Sequence, residues 1–291
     1  MRKFPMLLAL AAAVTTVAFT GSAGAVQGGT LDAANTYSYV AMSVYYDAHG
    51  VPLWRCTGTM ISARVYITAG HCTGLDEGAT PAHAELWFTP VLTAADVGDY
   101  PFDGSSCAGH TGYPCKGDVG GTPVPHPGWT GELTTPNTHD MGVVHLSANA
   151  PVTKFARLAP AGYLDGLASA RGRQNVNFTI VGYGVQFERP NLEIAKAQRF
   201  IGTTQLQDLR SNLAGGYEVR MTDSAGGGTG GSGTCFGDSG GPVFHTAANG
   251  VQYLVGDISW GTKYCKGTSA AYRLDSDSAR TFLASQDVTL P

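Results

Sequence analysis

Apolar and polar residues alternate over short stretches of this chain, and they seldom recur at the three-to-four spacing of a helix face. Runs that read as strands lie between glycine, proline and asparagine punctuation. They are Tyr39–Tyr45 (YVAMSVY), Val65–Ala69 (VYITA), Ala84–Phe88 (AELWF), Met141–Leu146 (MGVVHL), Phe178–Tyr183 (FTIVGY), Tyr253–Trp260 (YLVGDISW) and Ala270–Leu274 (AAYRL). The one good helical pattern is Ser276–Gln286, with Ala279, Phe282 and Leu283 as its apolar face and Asp275 as its N-cap. Many short strands and one terminal helix predict an all-β architecture of barrels or a sandwich. Pro151–Asp165 lacks clear alternation and separates two strand-rich halves, which predicts one domain over 26–155 and a second over 156–291.

The first residues read differently. Met1-Arg2-Lys3 is a short basic start, Phe4 to Phe19 is mostly apolar, and Ala23-Gly24-Ala25 offers the small residues of a cleavage site. This is the pattern of a secretory signal over residues 1–25. The run is shorter than the roughly 20 apolar residues of a spanning helix, so the expectation is a secreted, extracellular protein rather than an anchored one. Charged residues are 14% of the chain, below the usual ~25%, and its 40 glycines are about twice the usual ~7% share, which favours turn-rich β structure. A net charge of −4 supplies neither a basic patch for nucleic acid nor a polybasic membrane anchor, so neither is an expected partner. Six cysteines in an exported chain predict disulfides, and spacing alone leaves 15 pairings open.

The stretch GTCFGDSGGP, residues 233–242, holds the candidate chemistry. Gly237 to Gly241 fits G-x-S-x-G around Ser239, but an α/β-hydrolase places its acid and histidine after the serine. Here only His245 follows, six residues on, and strand–helix alternation is missing. A serine hydroxyl needs an imidazole to take its proton, and the imidazole needs a carboxylate to fix its tautomer. Upstream, His71 follows the apolar run VYITA, and Asp140 opens another apolar run. The order His71, Asp140, Ser239 is that of chymotrypsin-type sites. Gly228-x-Gly230-x-x-Gly233 matches a dinucleotide fingerprint, yet no βαβ unit surrounds it. No cofactor is expected. His49, His83, His110, His126 and His245 lack zinc-ligand spacing, so no metal is expected either.

Three segments together resemble trypsin/chymotrypsin-type serine proteases: CTGTMISARVYITAGHC (Cys56–Cys72), HDMGVVHL (from His139) and GTCFGDSGGPVF (from Gly233), with ISWG (Ile258–Gly261) as a fourth. The alanine- and glycine-rich composition suggests a bacterial member. The resemblance implies two six-stranded antiparallel β-barrels with a C-terminal helix and the site in the cleft between them. It makes His71 the base, Asp140 its orienting acid and Ser239 the nucleophile, with the N–H groups of Gly237 and Ser239 as the oxyanion hole. It assigns substrate contacts to Gly233, Thr234, Phe236, Ser259, Trp260, Gly261 and Ala270. It pairs Cys56 with Cys72 and Cys235 with Cys265, which leaves Cys107 and Cys115 for each other. Val26-Gln27-Gly28-Gly29 resembles the family's mature start, which implies an ion pair between the Val26 amine and Asp238. A departure is Gly70, where the family usually has alanine.

The resemblance also places the residue six before the nucleophile at the base of the primary pocket. Here it is Gly233, so the expectation is an uncharged floor, no preference for lysine or arginine, and cleavage after apolar or aromatic residues. The reading is a secreted, monomeric serine endopeptidase that works through an acyl-enzyme on protein or peptide substrates and is open to protein inhibitors. A catalytically silent homologue acting as a binding protein, or an esterase using the same triad, are the alternatives.

Overall fold

Among the residues described by the computed structural model (26–169, 175–189, 192–223 and 231–291), strands close into two antiparallel barrels of six. The expected signal segment and residues 224–230 of the glycine run lie outside them. After the short β1 (Thr30–Leu31), the first barrel uses β2 (Val40–Tyr46), β3 (Pro52–Met60), β4 (Val65–Thr68), β5 (His83–Trp87), β6 (Val119–Pro125) and β7 (Gly142–Leu146). They close in the order β2-β3-β4-β7-β6-β5, and a helical turn, α1 (Gly70–Thr73), follows β4. A helix, α2 (Tyr163–Ser169), precedes the second barrel. That barrel opens with β8 (Asn177–Gly182), followed by a separate hairpin of β9 (Val185–Arg189) and β10 (Leu192–Ala195). It continues with β11 (Phe200–Asp208), β12 (Glu218–Asp223), β13 (Pro242–Thr246), β14 (Gln252–Gly261) and β15 (Gly267–Arg273). Its order is β11-β12-β15-β14-β13-β8, with β8 closing on β11. Helix α3 (Asp277–Ser285) follows β15.

Side chains alternate across a strand, and β2 shows what that does when neither face meets water. Every residue of β2 is buried. Ala41 and Tyr45 join Met60, Tyr66, Leu86 and Val144 inside the first barrel. Val40, Met42, Val44 and Tyr46 point the other way and pack in one cluster with Val181, Tyr183, Phe244, Leu254 and Tyr272 of the second half. Phe282 and Leu283 of α3 add to that shared cluster. The second barrel is filled separately by Phe178, Ile180, Leu206, Val219, Met221, Val243 and Val255. The chain crosses between halves where the Ala156 N–H donates to Met60 O at 2.8 Å and the Ala159 N–H donates to Leu254 O at 3.0 Å. Three disulfides form: Cys56–Cys72, Cys107–Cys115 and Cys235–Cys265.

The runs read from the sequence all become strands, with ends displaced by a few residues. The terminal helix has a different cap: the Ser276 side chain accepts from the Ala279 N–H, and Asp275 instead pairs with Arg273 at 2.8 Å. The hydroxyl does the capping because the Asp275 carboxylate is drawn to a guanidinium.

A buried ion pair pins the halves together. Arg199, with no exposed surface, donates through Nε to Asp32 at 2.9 Å and through Nη1 to the carbonyls of Val40 and Phe88 at 2.8 and 3.1 Å. Removing one partner of such a pair strands the other charge in a low dielectric. Arg199→Ala is expected to cost about 3–5 kcal/mol of folding stability, measured by denaturant unfolding of the intact chain.

Candidate active site

Strand register brings the first two candidate residues together. Pairing of Thr68 with Gly142 aligns the end of β4 with the start of β7. Just past Thr68 the chain makes the α1 turn, and just before Gly142 His139 takes a left-handed φ of 52°. That bend, closed by the Met141 N–H on His139 O at 2.8 Å, presents Asp140 to the turn. Gly70 has a reason here: a Cβ on it would lie 3.0 Å from Met141 N and 3.1 Å from Asp140 Cα. Its role is close approach to the acid.

Asp140 is fully buried and accepts from both halves of the molecule. The His71 N–H donates to Oδ1 at 2.7 Å, His71 Nδ1 lies 2.9 Å from Oδ2, and the Ser259 hydroxyl donates to Oδ2 at 2.5 Å. Burial alone would push the His71 imidazole down. The Asp140 charge, the Nδ1 hydrogen bond and the more distant Asp76 outweigh it, so the net pKa is raised. Behind this pair lie two further buried acids, Glu218 and Asp257. Burial holds both well above the carboxylate range, with the Asp140 charge reinforcing it. Both shifts favour the neutral forms and so act against further negative charge beside Asp140.

Ser239 lies in a loop clamped to both barrels. The Thr57 N–H of β3 donates to Ser239 O at 2.8 Å, the Thr57 hydroxyl to Gly237 O at 2.7 Å, and the Gly240 N–H to Ile258 O at 2.6 Å. Gly237 has φ of +88°, a conformation that favours glycine. The Asp238 N–H closes on Cys235 O at 2.9 Å, whereas among the described residues the N–H groups of Gly237 and Ser239 on either side have no acceptor. Two free N–H donors beside a serine hydroxyl can stabilise an oxyanion. His71 and Ser239 line one cavity of about 480 Å³. No hydrogen bond joins them among the described residues, and such contacts often tighten only with substrate in place.

Of the residues expected to touch substrate, Thr234, Phe236, Ser259, Trp260 and Gly261 line this cavity. Gly233 and Ala270 are buried behind its surface, Ala270 opposite Trp260 on β15. The floor expected at Gly233 has an acid beside it. Gly233 carries no charge itself, but Asp223 is packed against it, and a Cβ on Gly233 would fall 1.7 Å from Asp223 Oδ1. Sequence reasoning passed over Asp223 because it ends a strand just ahead of a glycine run that read as filler. It also passed over Trp129, whose ring lies 6.3 Å from that of His71, and Thr57.

Val26 is buried, and its backbone N–H is among the groups that lower the Asp238 carboxyl. Asp238 also accepts from the Gly184 N–H at 2.8 Å and the Cys235 N–H at 2.9 Å. Burial still pushes it up to about 7. Antiparallel pairing of Gln27 with Gly233 holds this N-terminal stretch against the pocket.

Known proteins resemble this chain along most of its length. A family model described as Trypsin matches residues 27–275. Phenoloxidase-activating enzyme 1 of Spodoptera litura is 27% identical over 81% of this chain and 60% of its own length. Chymotrypsin of Phaedon cochleariae is 24% identical over 84% of this chain and 78% of its own. Serine protease ea of Drosophila melanogaster is 24% identical, and the chain spans 61% of that protein. These relatives come from insects and lend no support to the bacterial source suggested by composition. A solved structure of HL collagenase aligns over 91% of this chain and all of its own, with a TM-score of 0.64 at 14% identity. A structure of GrC aligns over 90% with a TM-score of 0.59.

The balance at His71 has a measurable consequence. In a Ser239→Ala background, NMR titration should place the His71 pKa above the ordinary 6.5. Adding Asp140→Asn should bring it below 6.5, because burial is the largest influence and then loses its main opponent.

Proposed function

The chain belongs to the trypsin family, and we propose that it is a secreted serine endopeptidase working through His71, Asp140 and Ser239. The observation that carries this reading is the Asp140 carboxylate gripping His71 through Nδ1, which leaves Nε2 for the serine in the same cavity. Ser239 Oγ attacks the scissile carbonyl while His71 Nε2 takes its proton. Asp140 holds the ring in the required tautomer and stabilises the imidazolium. The Gly237 and Ser239 N–H groups receive the oxyanion, where one such donor is worth about 10²–10³ in rate. His71 then protonates the leaving amine. Water, deprotonated by the same ring, releases the acyl group and restores the serine.

Three disulfides fit an oxidising compartment and hence export. Cleavage after Ala25 would turn the Val26 amide into an ammonium already seated beside Asp238. A cation there satisfies a carboxylate that burial otherwise drives toward neutrality. It would also fix the Cys235–Ser239 loop that carries the oxyanion donors.

A fluorophosphonate should label Ser239, and Ser239→Ala should abolish labelling and lower peptide turnover by about 10⁶. An unlabelled native chain would mark a silent homologue, and ester turnover without peptide turnover an esterase. N-terminal sequencing of the active secreted protein should begin at Val26; full activity in a chain extended by Ala25 would refute the ion pair.

A further inference from the structure

Behind the glycines of the cleft lies a buried acid without a hydrogen-bond partner among the described residues. Asp223, the last residue of β12, is buried, and among the described residues neither of its oxygens has a hydrogen-bond partner. No lysine, arginine or histidine among them forms an ion pair with it. Burial first, and the nearby Asp238 second, push its carboxyl up to about 7; the Thr234 N–H comes close enough to oppose this without closing a hydrogen bond.

The position of Asp223 is set by two glycines. Beside Gly233 its Oδ1 occupies the space of a side chain. Gly261 lines the cavity, and a Cβ on it would stand 3.4 Å from Asp223 Oδ2, 3.8 Å from Ser269 Cβ and 3.8 Å from Thr234 Oγ1. The volume left open by Gly261 is therefore bounded by a carboxyl group and two hydroxyl residues. The Ser269 hydroxyl is itself buried without a hydrogen-bond partner among the described residues. A pocket base made of a carboxyl group and two hydroxyls, each able to accept, suits a group that only donates, which describes guanidinium and ammonium. An apolar side chain pushed into it would leave the carboxylate dry and unpaired, the costly arrangement.

We propose that Asp223, reaching from β12 beneath Gly233 and Gly261, is the specificity-determining residue of the cleft and selects a lysine or arginine side chain on the acyl side of the scissile bond. The inference rests on the endopeptidase reading above, and it reverses the apolar preference expected from Gly233 alone. The charge comes from a different strand than the one the resemblance points to.

The test uses peptide anilides differing only at the residue before the cleaved bond. Arginine or lysine substrates should exceed leucine and phenylalanine ones in kcat/KM by about a hundredfold or more, and Asp223→Asn should lower the arginine-over-leucine ratio by a similar factor. Leucine or phenylalanine matching arginine in the native enzyme, or an unchanged ratio in D223N, overturns the proposal. If Ser239 takes no fluorophosphonate, the endopeptidase reading fails by itself. The pocket is then judged by binding of 4-aminobenzamidine, a cationic arylamidine, to S239A. Affinity at least tenfold above that of the S239A/D223N pair supports an anionic floor, and equal affinity overturns it.

Discussion

A carboxylate sealed from water must be met by donors, and at Asp140 those donors come from both halves of the molecule. His71 contributes its ring and its backbone N–H from the turn after β4, while Ser259 reaches across from β14. The geometry of the candidate site therefore depends on how the barrels are seated. The apolar side of β2, the Arg199–Asp32 pair and the Thr57 clamp on the serine loop all fix that seating. None of them touches the cavity, yet each holds a distance inside it.

Much of the fold was legible because its strands alternate cleanly. VYITA and MGVVHL have apolar residues where the barrels need them, and both were found with His71 and Asp140 at their ends. Other strands hid. In β11 the inward positions include Gly202 and Thr204 beside Phe200 and Leu206, so alternating burial is not matched by alternating hydropathy. In β3 the buried end holds Thr57 and Thr59, and β6 carries two prolines. Polar residues that satisfy one another inside a barrel look like surface when read in one dimension. Thr57 is the clearest case, since its importance lies in contacts with Gly237, Ser239 and Tyr183, all far away in sequence. Helix α2 begins at the end of the Pro151–Asp165 stretch, which has no readable period, and runs on past it.

The candidate site residues stand in short motifs, whereas the surroundings of the pocket do not. A motif fixes neighbours along the chain, whereas a floor is assembled from strands. Asp223 and Gly233 lie on opposite sides of the glycine run and meet only when β12 and the serine loop fold together. The second half buries Glu218, Asp223, Asp238 and Asp257, a heavy load for one barrel. Their surroundings separate their uses. Glu218 has a threonine, Asp238 has backbone amides and the Val26 N–H, and Asp257, like Asp223, has no hydrogen-bond partner for its oxygens among the described residues. Of the two unpartnered acids, Asp223 is the one that borders a glycine lining the cleft.

The contact between Gly233 and Asp223 also constrains how such a cleft can change over generations. A side chain at 233 and the carboxylate of Asp223 claim the same volume, so an acid can occupy one position or the other and never both. Moving the charge between them one substitution at a time passes through either a collision or a neutral, half-empty floor. The two arrangements are separate solutions divided by a valley, and a lineage settled on one has no smooth path to the other.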